Sequence, residues 1–149
     1  MRRRYPSRPI LGVGAIIFRR GCVLLVQRGR PPLKGYWSLP GGALELGEPL
    51  ANGVRREVVE ETGLTVKPLE VFEVFERISP GRGNRPEYHY VVVDYLCRVT
   101  GGVLRAGADA EQVEWVRRED LGRRQITEGT LTVIRRAFRK KLRGGRGAA

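Results

Sequence analysis

Histidine, cysteine and acidic residues are scarce in this sequence, and long apolar runs are missing. Of its 149 residues one is His, two are Cys and one is Met. Cys22 and Cys97 stand far apart, with no CxxC spacing and no histidine beside them. They read as small buried thiols in a reducing cytoplasm, which excludes a disulfide, a zinc site or a cysteine nucleophile. The single His89 has no partner in the pattern that would make it catalytic. No apolar run reaches the ~18 residues that a membrane-spanning helix requires. The opening MRRRYPSRP is basic, but no long apolar region follows before Arg19 and Arg20 interrupt, so a secretory signal is not expected.

Acidic residues number 16 against 28 basic ones, a net charge of +12. Such a surface attracts phosphates, whether on a small nucleotide or on a polynucleotide. The cations concentrate at the two ends, from Arg2 to Arg8 and from Arg135 to Arg146. End-loaded charge reads as solvated tail, and charge alone names no substrate.

One domain of ordinary size is expected, residues 10–143, between a flexible basic arm (1–9) and a frayed tail (144–149). LGVGAIIF (11–18) and CVLLVQ (22–27) read as the strands of a hairpin. The Gly- and Pro-rich GRPPLKGYWSLPGG is loop with a short extended WSLP piece. Pro49 suits a first helical position, Leu50, Val54 and Val58 give an apolar stripe, and Gly63 suits the left-handed residue that ends a helix. Strands follow at 66–76, 88–99 and 113–116, with a turn predicted at Thr100-Gly101-Gly102. A short helical turn is expected at 118–121. Leu131, Ile134, Phe138 and Leu142 then mark a closing amphipathic helix. The order predicts an α/β chain of the α+β type, a mixed β-sheet sandwiched between helices.

The chemistry concentrates in GALELGEPLANGVRREVVEETGL, residues 42–64. On a helix Glu57, Glu60 and Glu61 fall at i, i+3 and i+4 and share a face. Three like charges so close repel, and a hard divalent cation with oxygen ligands offsets that repulsion. A solvated acidic face is the plainer reading of such a triplet, and the helix alone does not decide between the two.

The segment resembles the Nudix box at each defining position. Gly42, Glu48, Arg56-Glu57, Glu60-Glu61 and Gly63 stand at the box spacing, with aliphatic Val58 and Leu64 after the second and last groups. WSLPGG before it is similar to the family's usual lead-in. Gly53 departs, standing where the family often has Ala, at about 1 kcal/mol of helix stability. The resemblance covers about residues 10–122. It implies magnesium, with manganese as the alternative, held by Glu57, Glu60, Glu61 and the Gly41 carbonyl. It implies Arg56 as the orienter of a box carboxylate, Gly42 and Gly63 as structural positions, Glu48 as structural or an outer metal ligand, and attack of activated water on a pyrophosphate phosphorus with a glutamate, Glu60, taking the proton. Family members also use an acidic residue before a Trp-Val strand. Asp109, Glu111 and Glu114 are the choices here, with Glu111 favoured.

Substrate choice lies outside the box. Arg28, Arg30 and Lys34 are candidate phosphate contacts, and Tyr88, His89 and Tyr90 candidate contacts to a base or ribose. Each reads equally as loop cation or sheet packing, and Trp37 and Trp115 read as core. ERISPGRGNRPEYHYVVVDYL loosely resembles the ADP-ribose pyrophosphatase type. The expected substrate is therefore ADP-ribose or a related nucleoside diphosphate sugar, with a nucleoside triphosphate (oxidised or ordinary) or the 5′ end of RNA as alternatives. A non-catalytic binding module would have lost box glutamates, and all are present. A nucleotide small molecule is the expected partner, nucleic acid is not favoured, and a homodimer is open.

Overall fold

The computed structural model describes residues 2–107 and 109–145, with side chains described as far as Lys141. Its elements are β1 (Ile10–Arg19), β2 (Cys22–Arg28), β3 (Trp37–Ser38), β4 (Gly41–Ala43), α1 (Leu50–Thr62), β5 (Leu64–Ser79), β6 (Tyr88–Gly102), β7 (Ala110–Arg117), a 3-10 turn (Arg118–Arg123) and α2 (Glu128–Gly145). The sheet runs β3-β2-β1-β6-β5, with β4 paired to β1 and β7 to β2. β1 lies parallel to β6 over Ile10–Ile17 and antiparallel to β2 and β4, so the sheet is mixed, as expected.

β1 and β2 read as unbroken apolar runs because both of their faces are covered. Val13, Ala15 and Ile17 on β1, with Leu24 on β2, pack against Val54 and Val58 of α1. Ile16, Val23 and Leu25 face the other way, against Val133, Ile134, Ala137 and Phe138 of α2. The predicted helical stripes therefore supply the two outer layers. Trp37 and Trp115 pack half-buried against these two cores.

Strands β5 and β7 run longer at both ends than expected, Gly41–Ala43 is strand and not loop, and four further features differ from the sequence expectation. Pro49 is the residue before α1, extended at ψ 146°, and not its first helical residue. The turn expected at Thr100–Gly102 is strand, because Leu64 pairs with Gly102 and Thr65 with Gly101 directly after the helix ends. Gly102 is at φ +89°, and a Cβ there would fall 2.4 Å from the Gly63 carbonyl oxygen. The glycines serve close approach, which composition cannot distinguish from a turn. The N-terminal arm, expected to be loose, is tied to the β5–β6 hairpin. The Tyr5 N–H donates to the Glu87 carbonyl (2.7 Å) and Arg4 pairs with the Glu87 carboxylate (2.9 Å). Gly144 and Gly145 continue α2, whereas the remainder of the expected tail, 146–149, and the side chain of Leu142 lie outside the described residues.

Among the described residues no helix is long and apolar enough to cross a membrane. Both cysteines are free thiols.

Candidate active site

α1 carries the acidic triplet, and its C-terminus is set by Gly63 in the left-handed region at φ +75°, with its N–H on the Val59 carbonyl. The guanidinium of Arg56 organises what surrounds it. Nε and Nη2 grip Glu48 at 2.7 and 2.9 Å, Nη1 reaches Glu57 at 2.9 Å and Glu60 at 3.3 Å, and Nη2 also donates to the Ala43 carbonyl at 3.1 Å. The planar fork ties the loop before the helix to two glutamates of the triplet. It holds the Glu48 carboxyl down at about 2, and the hydrogen bonds with Glu48 and Glu57 raise the pKa of Arg56 in turn.

Glu61 lies away from Arg56 and accepts the Gly41 N–H at 3.1 Å. Burial pushes its carboxyl up to about 8, opposed by that hydrogen bond and reinforced by Glu57. Burial also raises Glu57, against the pull of Arg56. A Cβ at Gly42 would sit 2.5 to 2.7 Å from the Glu57 carboxylate atoms, so this glycine makes the room in which that carboxylate lies. Gly53 has a similar reason, since a Cβ there would meet Leu44 at 2.7 Å and Glu48 at 3.0 Å. Among the described residues no three Asp, Glu, His or Cys side chains converge into a closed cluster, because Arg56 engages Glu57 and Glu60 while Glu61 faces the Gly41 amide. The donor chemistry still fits a hard divalent cation: crowded carboxylate oxygens, two of them poorly solvated and raised in pKa, are what such an ion relieves.

These groups form one wall of a cavity of about 440 Å³. Gly14, Asp94, Gly12, Val92, Phe75, Tyr90 and Arg77 line it, and they belong to three rungs of paired residues, Gly14–Asp94–Glu73, Gly12–Val92–Phe75 and Ile10–Tyr90–Arg77. At the outer end Arg3, Arg28 and Arg77 line the same cavity. Arg77 is half-buried, and both burial and the neighbouring Arg28 lower its pKa. No hydrogen bond or ion pair holds its guanidinium among the described residues. Cations this close without a carboxylate partner form a site for an anion. At the inner end Asp94 is 1% exposed, and its Oδ2 has no hydrogen-bond partner. An unsatisfied buried polar atom costs on the order of 1–3 kcal/mol. Burial, then the charge of Glu73, pushes the Asp94 carboxyl up to about 7.

The NUDIX domain model matches residues 8–137. This chain belongs to the Nudix family. It is 38% identical over 107 residues to an ADP-ribose pyrophosphatase of Methanocaldococcus jannaschii, covering 72% of this chain and 61% of that protein. The chain thus spans less than two thirds of that relative's length. A MutT-like protein of Streptomyces ambofaciens is 31% identical over 119 residues, 80% of this chain and 70% of its own. Among solved structures, a MutT NUDIX hydrolase of Burkholderia pseudomallei superposes with a TM-score of 0.76 at 31% identity, over 87% of this chain and 98% of that one.

Of the Nudix box residues, Glu48, Glu57 and Glu60 gather around Arg56, whereas Glu61 turns to the Gly41 amide and Gly63 caps the helix. Outside the box the agreement is partial. Arg28, Arg30 and Tyr90 line the cavity, whereas Lys34, Tyr88 and His89 do not. Tyr88 instead stacks on Tyr90, with ring centroids 6.3 Å apart. Glu111, the favoured extra acid, is an exposed residue of β7 off the cavity wall, and the acid on that wall is Asp109, 2.9 Å from Arg30. Glu114 pairs with Arg124. A β-bulge accompanies the difference: Gln27 pairs with Gln112 and Arg28 with Ala110, so Glu111 is the extra residue of β7, and the acid on the cavity wall is the one in the turn before the strand. Arg3, Arg77 and Asp94 were not read as site residues. They come from the arm and two distant strands, and only the β5–β6 pairing shows that residues 77 and 90 share a rung.

Proposed function

We propose that this chain hydrolyses the pyrophosphate bond of a nucleoside diphosphate linked to another group, with ADP-ribose or a related nucleoside diphosphate sugar as substrate. The observation that carries this reading is the cavity itself, where the box carboxylates on one wall face Arg3, Arg28 and Arg77 on another. A phosphate chain is the ligand that satisfies both, since its oxygens pair with guanidinium groups and share a cation with carboxylates.

Glu57, Glu60, Glu61 and the Gly41 carbonyl would hold magnesium or manganese. Such an ion, when bound, lowers the pKa of a coordinated water and neutralises charge on phosphate oxygens. The chain's own groups do the rest. Arg28 and Arg77 bind and align the phosphates, and Arg3 closes over them from the arm. Arg56 orients Glu57 and Glu60 through hydrogen bonds that fix their rotamers. As water adds to phosphorus and the anhydride P–O bond breaks, the water's proton passes to a carboxylate, Glu60 or Asp109. Asp109 takes the part expected of Glu111. The box glycines and Glu48 shape the frame in which this happens.

Product analysis tests the proposal. The enzyme is incubated with magnesium and a panel of ADP-ribose, nucleoside diphosphate sugars, 8-oxo-dGTP and ordinary triphosphates, beside Glu60→Gln. AMP and ribose 5-phosphate from ADP-ribose, lost in the variant, are the expected result. Release of pyrophosphate from a triphosphate with ADP-ribose untouched would replace this substrate by the triphosphate class.

A further inference from the structure

We propose that Asp94 reads the base of the nucleotide by accepting a hydrogen bond from an exocyclic amino group, that of a purine held in the inner end of the cavity. The proposal rests on the nucleotide-hydrolase reading above and names which part of the substrate lies deepest.

Three independent observations converge on this carboxyl. Asp94 is 1% exposed yet lines the cavity, and its Oδ2 has no hydrogen-bond partner. The side chain occupies space that the neighbouring strand leaves open, since a Cβ at Gly14, its rung partner on β1, would fall 2.1 Å from Oδ1. The next rung outward is apolar and includes an aromatic ring, Phe75 beside Val92. That ring rests against the first turn of α2, 3.7 Å from the position of a Cβ on Gly129. Leu39 adds a further apolar surface to the cavity, and Thr127 and Thr130 complete it near the start of α2.

This is the chemistry of a slot for a flat, mostly apolar ring with one donor at its buried edge. A ribose would need several polar partners around it, but among the described residues the buried hydroxyls here are two, Thr127 and Thr130, and the first donates to the second at 2.6 Å. A phosphate is better placed at the other end, since Arg77 lies two rungs away with Tyr90, whereas the Asp94 carboxyl offers no cation and Glu73 on its rung is paired with Arg136. The two ends of the cavity are thus complementary to the two ends of a nucleotide, base inward and phosphates outward. A site built to accept a donor discriminates strongly against a ligand that lacks one, because the buried acceptor then stays unpaired.

The test is titration calorimetry of the full chain in magnesium with AMP, with purine riboside 5′-monophosphate (which lacks the amino group) and with ribose 5-phosphate. The wild type is expected to bind AMP at least ~10-fold more tightly than the purine analogue, the factor of one hydrogen bond to a charged or buried acceptor. Asp94→Ala and Asp94→Ser should bind both nucleotides alike, near the weaker affinity, while steady-state kinetics show the loss in KM and not in kcat. Equal affinity of the wild type for the two nucleotides, a measurement that needs no variant, would overturn the proposal. So would discrimination that survives both substitutions, or ribose 5-phosphate binding as tightly as AMP. The two readings fail separately. If nothing in the substrate panel is hydrolysed but the AMP preference is present and lost with Asp94, the base assignment stands and the hydrolase reading falls.

Discussion

Arg56 and Glu48 are joined by two hydrogen bonds of 2.7 and 2.9 Å, one to each carboxylate oxygen. This pair clamps the loop before α1 to the helix that carries the glutamates, and Arg56 uses its remaining edge to hold Glu57 and Glu60. Lysine cannot reproduce a planar fork with five donors. Arg56→Lys is expected to lower kcat/KM by about 10- to 100-fold, the usual cost of losing a group that orients ligands, with metal affinity falling in the same titration. Unchanged kinetics in Arg56→Lys would show that charge alone, without the fork, suffices.

The same pair predicts an acid limb of stability. Glu48 is held at about 2 in the folded chain, against 4.5 for its ordinary value. A depressed carboxyl stabilises above its unfolded pKa and loses that contribution as pH falls through its folded one. Urea unfolding between pH 5 and 2 should therefore show a decline in the wild type that is shallower in Glu48→Gln. Parallel declines in the two proteins would remove Glu48 as its source.

Asp94 has the opposite sign. Its carboxyl is raised from 3.8 to about 7, so the folded chain holds a proton that the unfolded chain releases between these values. Stability from this group is fully present below pH 3.8 and is lost as pH rises through 7. Asp94→Asn, which cannot ionise, should be more stable than the wild type at pH 8 by roughly 1–4 kcal/mol. The gap should close as pH falls toward 4. Equal melting temperatures at pH 8 would contradict the desolvated environment described for this carboxyl.

Gly42→Ala tests the space reserved for Glu57. The new methyl would stand within 2.5 to 2.7 Å of three carboxylate atoms, so Glu57 must turn away. Displacing a group by ~1 Å at a reacting centre costs on the order of 100-fold. A loss of that size in kcat, with far-UV circular dichroism unchanged, is the expected outcome. A loss smaller than about threefold would show that Glu57 tolerates another rotamer.

Thiol labelling separates the two cysteines. Cys97 is buried and its thiol is pushed up to about 12, with burial as the main cause. Only thiolate reacts, so iodoacetamide at pH 8 should modify Cys22 at most and reach Cys97 only after denaturation. Native labelling of Cys97 first would show that its strand opens.

The box helix was legible in the sequence because its evidence is local. Leu50, Val54 and Val58 define the buried face by spacing, Gly63 its end, and Glu57, Glu60 and Glu61 the acidic face, all within a few turns where 3.6-residue geometry decides who shares a face. The mixed sheet with a helix on each side followed from the same periodicities, as did the continuous apolar runs of strands covered on both faces. What tertiary structure alone decided is which distant residues meet. That Asp109, and not Glu111, lines the cavity goes with the bulge that leaves Glu111 unpaired between Ala110 and Gln112. That Arg77 stands beside Tyr90 and Asp94 beside Gly14 depends on the registers of β5 with β6 and of β6 with β1. Register is set by packing across strands, and a shift of one residue would turn every one of these side chains to the opposite face. The N-terminal arm makes the same point, since composition reads it as solvated charge, and only the contacts of Arg4 and Tyr5 with Glu87 bring Arg3 to the rim of the site.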